Sequence, residues 1–453
     1  MKRRSFLSAA LAAAASPLAA QSTPPNVILI MADDLGIGDL GCYGQKQIAT
    51  PNIDRLAAEG TRFLHAYSGA TVCAPSRCSL MTGKHQGHAT IRGNRNPEVP
   101  IQPDEVTVAE ICKMAGYKTG LFGKWGIGGP ANLGRPNAQG FDEWFGYPTQ
   151  IHAHLFYPPY LWHNETEVFL QKNFNSAKGE YAPDTILTRA LDFIDRNKAN
   201  SFFLYLPSTF PHTNNELGNQ TGDGMEVPNY GSYKDKDWPN PEKGFAAMVE
   251  RLDQAVGSVL AKLAEHNIDR NTIIIFTSDN GSHQEGGHKV DFFDSNSVYK
   301  GWKRDLYEGG IHVPMIARWP GHVPAGKTSD QIWAFWDMLP TVADLVGVPA
   351  PSGLDGISMA NTLLGKPQQN HEYLYWEFHE RGFDQAVRMG KWKAVRRSRN
   401  EDRIELYDLP ADPGETKDIS DSHPDIVKRI DQIMSSARTE STEFPVRKQV
   451  GRR

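Results

Sequence analysis

The sequence predicts an α/β fold, a three-layer α/β/α sandwich around a mostly parallel sheet, followed by a smaller C-terminal α+β subdomain. Three observations lead there. Short apolar, β-rich runs alternate with amphipathic stretches of helical period through most of the chain, the pattern of strands covered on both faces. At 453 residues the chain is long for one simple domain. After about residue 365 the alternation gives way to short strands and one helix.

Taken in order, residues 1–20 place Lys2, Arg3 and Arg4 ahead of an alanine-rich apolar run, which reads as an export leader and not as a membrane span. Arg3-Arg4-Ser5-Phe6-Leu7 fits a twin-arginine signal. The mature chain is therefore expected to be exported, periplasmic or extracellular, with no integral membrane segment once the leader is removed. A first strand is expected at 27–31, then a helix at 52–59 closed by Gly60 and a helix at 106–115 closed by Gly116. Strands are expected at 119–122, 202–206, 272–277 and 313–318, with a long amphipathic helix at 243–266. Residues 214–241 are rich in Asn, Gly, Asp, Pro and Tyr without periodicity and read as a long surface loop beside a binding cleft. Short strands at 373–377 and 392–395 and a helix at 425–436 complete the pattern. The divisions expected are a main domain at 24–364, a subdomain at 365–442 and a polar tail at 443–453.

The leader carries three cations and no acids, so its removal takes the net charge from −5 to −8. That balance disfavours nucleic acid and anionic membrane as partners, and an anionic substrate must be captured locally. The four cysteines, Cys42, Cys73, Cys78 and Cys112, give no expectation of a disulfide framework if one of them is modified.

Asp33 and Asp34 follow the first strand, and Asp279 and Asn280 follow the strand at 272–277. Both pairs fall at carboxyl ends of strands, where open α/β sheets bind ligands. Three carboxylates and an amide oxygen favour a hard divalent cation, calcium ahead of magnesium. The stretch C-A-P-S-R-C-S-L-M-T-G-K at 73–84 places a cysteine among small residues at a loop-to-helix junction, with Arg77 one turn on, a setting suited to an anion.

That stretch resembles the signature by which type I sulfatases mark a cysteine, here Cys73, for oxidation to formylglycine. The resemblance extends over nearly the whole mature chain and implies a formylglycine-dependent sulfatase of the alkaline phosphatase superfold. It implies that Asp33, Asp34, Asp279 and Asn280 bind calcium with the modified Cys73 completing the shell, and that Arg77 holds the aldehyde hydrate. It further implies that Lys124 in G-K-W-G and Lys303 in G-W-K-R contact sulfate oxygens, with His212 in F-P-H-T near the leaving oxygen. The implied partners are a sulfated saccharide and a formylglycine-generating maturation enzyme.

Two departures accompany the resemblance. Many members read G-K-W-H where this chain has Gly126, so the base for expelling sulfate is open among His85, His88, His152 and His154. Lys84 stands where arginine is common, keeping charge without bidentate geometry. Arg92 and Asn94 in I-R-G-N, the aromatic run at 155–162 and His379 in W-E-F-H are candidate sugar contacts, as are the four histidines. A phosphodiester or phosphonate monoester hydrolase on the same scaffold, and an inactive calcium-stabilised glycan-binding protein, are the alternatives.

Overall fold

The computed structural model describes residues 24–400 and 403–446. The expected leader, 1–20, and the end of the expected tail, 447–453, lie outside these residues.

Ten strands form one sheet: β1 (Asn26–Ala32), β2 (Thr61–Tyr67), β3 (Lys118–Lys124), β4 (Glu143–Tyr147), β5 (Tyr160–His163), β6 (Thr166–Phe169), β7 (Phe202–Pro207), β8 (Thr272–Ser278), β9 (Met315–Arg318) and β10 (Lys327–Ala334). Their order is β10-β2-β9-β8-β1-β7-β3-β4-β5-β6. The centre, β8-β1-β7-β3-β4, is parallel throughout. The strand expected at 313–318 is β9, and it runs antiparallel to both of its neighbours. The far edge is finished by the antiparallel β5 and β6.

Alternation along β1 explains the three layers. Ile28 and Ile30 point into a core built with the helices Pro51–Ala58, Ala182–Asn197 and Asn240–Glu265. Val27, Leu29 and Met31 point the other way, into a core shared with the helices Cys73–Thr82, Val108–Met114 and Met338–Val346. All five side chains are buried, each worth about 1.5–3 kcal/mol of apolar transfer, so β1 is held from both faces.

The C-terminal part is an antiparallel meander of β11 (Leu374–Phe378), β12 (Asp384–Met389), β13 (Trp392–Arg396) and β14 (Ile404–Asp408). One face packs on the helix Pro424–Ser436 through Ile430, Ile433 and Met434. The other face joins the main body through Trp376 and Tyr407, which meet Tyr67, Leu306 and Trp336 in one apolar cluster. Lys393 of β13 donates to Glu308 at 3.0 Å, and the Tyr67 hydroxyl donates to the same carboxylate at 2.6 Å. This buried contact fixes the segment that follows Lys303.

Two expectations are corrected. The segment 214–241 is not one long loop: Asn214 caps a helix at Asn215–Thr221, its side chain accepting the Leu217 N–H at 3.0 Å. The stretch from 443 is not simply a polar tail, because Phe444 is buried in the main core and lies under the Arg95 guanidinium. All four cysteines are free thiols.

Candidate active site

Parallel pairing brings the two oxygen-rich pairs together. Ala32 of β1 lies level with Ser278 of β8, so Asp33-Asp34 and Asp279-Asn280 emerge side by side. The Asp34 N–H donates to Asp279 Oδ1 at 3.1 Å and the Asn280 amide donates to Asp34 Oδ1 at 2.7 Å, locking the two strand ends to each other. Asp34 adopts φ 68°, a left-handed turn that Asp tolerates better than most residues. Lys124 is the last residue of β3, and its ammonium reaches Asp33 Oδ2 at 2.7 Å.

Cys73 opens the helix Cys73–Thr82. Val72 provides no side-chain cap; the Ala74 N–H donates instead to Asn94 Oδ1 at 3.1 Å. Pro75 sits in the first turn, where no intrahelical N–H is required, and Gly83 closes the helix at φ 70°. One turn in, Arg77 donates to Asp279 Oδ2 through Nε at 3.1 Å and Nη2 at 2.8 Å, and to the Lys124 carbonyl at 2.6 Å. The helix start is thereby tied to β8 and β3, and the Cys73 sulfur comes to rest 3.5 Å from Asp33 Oδ1.

On the other side, the Lys303 ammonium contacts Asp34 Oδ2 at 2.8 Å, His212 Nε2 at 3.2 Å and Glu285 Oε2 at 3.2 Å. Arg304 pairs with the same Glu285. His212 Nδ1 lies 2.7 Å from the Thr213 carbonyl, which only accepts, so Nδ1 carries the proton and Nε2 presents its lone pair to Lys303. Burial and then Lys303 push the His212 imidazolium down to about 3, against the pull of Asp34, so the ring is neutral near pH 7.

The acids behave as a crowded set. Burial raises Asp279 to about 7, Asp33 adding its charge to the burial while Arg77 opposes both. Asp33 and Asp34 stay well ionised despite burial because Lys124 and Lys303 respectively stand on them. Burial pushes the Cys73 thiol well up, and neighbouring Asp33 and Asp279 add to this while Lys124 opposes it, so the unmodified side chain is a neutral thiol. Donor atoms of Asp33, Asp34, Cys73 and His212 lie within 4.8 Å of one another. The Asn280 carbonyl oxygen is buried without a protein partner, and Asp33 and Asp34 share the space while Asp279 Oδ2 is engaged by Arg77; this oxygen-rich set suits a hard divalent cation.

A cavity of about 320 Å³ opens above this cluster. Of the residues expected to meet substrate, Asn94 and His154 line it together with Cys73, His212 and Lys303. His154 stacks on His212 with ring centroids 5.2 Å apart. The other expected contacts do not line it. His85 and His88 turn to Asp355, His85 packing against Trp336 and Tyr375. Arg92 is buried against Glu377 at 2.9 Å, and His152 lies 3.1 Å from the Tyr160 carbonyl. His379 lines a neighbouring cavity that shares Asn94 and Arg95 with the first. Sequence reasoning missed Glu98, Gln150, Asn215, Glu285 and Arg304; only Arg304, beside Lys303, had a local signal.

The sulfatase family model matches residues 25–348, and a model described as N-sulphoglucosamine sulphohydrolase, C-terminal, matches 299–440. The chain belongs to the sulfatase family. It is a sulfuric ester hydrolase. This sulfatase is 30% identical to the N-acetylgalactosamine-6-O-sulfatase of Bacteroides thetaiotaomicron over 92% of this chain and 94% of that one. It is 33% identical to the N-acetylgalactosamine-6-sulfatase of Canis lupus familiaris over 85% of this chain and 74% of the relative. Among solved structures, Ps i-CgsB in complex with k-i-k-neocarrahexaose superposes with a TM-score of 0.79 and 31% identity, covering 93% of the sulfatase and 96% of that chain. No helix among the described residues of the sulfatase is long and apolar enough to cross a membrane.

Proposed function

We propose that this sulfatase is exported and removes sulfate from a carbohydrate, with residue 73 oxidised to formylglycine by a maturation enzyme and calcium, ahead of magnesium, held by Asp33, Asp34, Asp279 and Asn280. The observation that carries the reading is the single buried cluster in which Cys73, two acids, His212, Arg77 and two lysines converge below one cavity. The carbohydrate is supported by the relatives named for N-acetylgalactosamine sulfate and by the neighbour that holds a neocarrahexaose. Export is supported by the twin-arginine pattern at Arg3 and Arg4.

Asp33, Asp34, Asp279 and Asn280 would hold the cation, which with the hydrated aldehyde at position 73 would supply an acidified hydroxyl as nucleophile. The remaining work falls to the chain's own side chains. Lys124 and Lys303 offset the charge of the nonbridging sulfate oxygens, each held rigid by a carboxylate. Arg77 fixes Asp279 and the backbone at Lys124, so that the helix start and the strand ends keep one geometry. His212, fixed through Nδ1 and unprotonated at Nε2, accepts from Lys303 Nζ and so orients the ammonium that gives its proton to the departing sugar oxygen.

The test is sulfate release from a panel of sulfated saccharides, 6-sulfated N-acetylgalactosamine among them, by protein produced with the maturation enzyme. Release from one or more of them is expected. Turnover of aryl sulfate with none on any saccharide would overturn the carbohydrate assignment.

A further inference from the structure

Within the cavity above Cys73, the lining is uneven. Lys303, Arg304 and Arg95 gather on it as cations, and Asn94, Asn96, Gln150 and Asn215 add neutral amides. Glu98 is the one carboxylate lining that cavity among the described residues. One of its oxygens is committed: Oε1 accepts the Gln150 N–H at 2.5 Å. The other, Oε2, is shielded from solvent and has no partner. A buried carboxylate oxygen left unpaired is costly, and because the Glu98 side chain lines the cavity, a rotation of its carboxyl group is enough to turn that oxygen to a ligand's donor. Burial lifts the Glu98 carboxyl to about 7, opposed by the Gln150 N–H and by Lys124, the charged group that faces it.

We infer that Glu98 is a specificity residue: its free oxygen accepts a hydroxyl or amide N–H of the sugar that carries the sulfate, and it turns away sugars with a carboxylate at that position. The inference rests on the carbohydrate reading above and narrows it to neutral sugars. Every other charged group lining the cavity favours an anion, so Glu98 is the feature that separates a sulfated hexose or hexosamine from a sulfated uronate. A site built to receive one hydrogen bond discriminates because the wrong partner leaves the buried acceptor unpaired and, above about pH 7 where Glu98 is ionised, sets like charges together.

The experiment compares wild type and Glu98→Gln, both matured, on 6-sulfated N-acetylgalactosamine, a 2-sulfated uronate and an aryl sulfate. Gln keeps the carbonyl that receives the Gln150 N–H and replaces the free acceptor with a donor. Wild type is expected to turn over the sulfated hexosamine faster than the sulfated uronate. In Glu98→Gln, kcat/KM on the hexosamine is expected to fall by about tenfold more than on aryl sulfate, carried mainly by KM, with the uronate gaining relative to the hexosamine. Equal losses on hexosamine and aryl sulfate, or a wild type that prefers the uronate, would overturn the inference while leaving carbohydrate hydrolysis intact. A wild type inactive on every saccharide would overturn both. The wild-type preference needs no variant, so misfolding of Glu98→Gln leaves the test in force.

Discussion

The Gln150 amide occupies the space that a side chain on Gly126 would need: a Cβ built on Gly126 would stand 2.1 Å from Gln150 Nε2, and that same nitrogen donates to the Gly126 carbonyl at 3.0 Å. Gly126 also holds φ 72°, a left-handed conformation that side chains rarely adopt. The missing histidine in G-K-W-G is thus matched by a neighbour that fills its place. Introducing it back, Gly126→His, should destabilise the fold by about 1–3 kcal/mol and lower turnover. Thermal unfolding and aryl sulfate kinetics check this; a more active and equally stable variant would contradict it.

The contact between Lys303 Nζ and His212 Nε2 at 3.2 Å gives a second prediction. His212→Ala should reduce turnover of saccharide sulfates, whose alcohols leave poorly, by on the order of 10²–10⁴, and activated aryl sulfates much less. Equal losses on both substrate types would show that His212 shapes the site without serving the leaving oxygen.

At the junction with the C-terminal sheet, Glu377 receives Arg92 at 2.9 Å, Arg438 at 3.1 Å and lies 3.0 Å from His379. Against the burial that would raise it, His379 and Arg92 bring its carboxyl from an ordinary 4.5 to about 2. The folded value is the lower one, so the stabilisation is complete above about pH 4.5 and is lost as pH falls through 2. It amounts to roughly 3 kcal/mol. Denaturant unfolding between these pH values should show wild type losing that much more stability than Glu377→Gln. Parallel curves would remove Glu377 from the acid response.

Much of this was legible because it is local. The strand ends at Asp33 and Asp279 follow from apolar runs and what comes after them, and the helix start at Cys73 from the small residues and Pro75 beside it. What escaped depends on distant packing. The strand at 313–318 reads identically whichever way it runs, and its antiparallel course shows only in its pairing with β2 and β8. His85 and Arg92, expected as sugar contacts, are turned away from the cavity above Cys73, because polar residues in aromatic settings give the same pattern in a cleft or at a subdomain junction. Glu98 and Gln150 carry no motif; their importance comes from the fold placing them above Cys73.

Removal of divalent ions gives a further prediction. If the proposed site around Asp33, Asp34 and the unpartnered Asn280 oxygen binds calcium, the ion at about a hundred times its Kd should add about 2.7 kcal/mol to stability. Chelation should lower the midpoint of thermal unfolding, and calcium should restore it. Asp34→Ala should abolish the difference; a midpoint indifferent to chelator would count against the cation.

The most direct test reads the side chain at position 73 and the activity together. Preparations with graded exposure to the maturation enzyme are analysed by peptide mass spectrometry for the fraction of residue 73 present as aldehyde, and each is assayed for sulfate release. The rate should rise in proportion to that fraction and vanish with the thiol intact or in Cys73→Ala. Full activity from protein whose Cys73 is wholly unmodified would contradict the account.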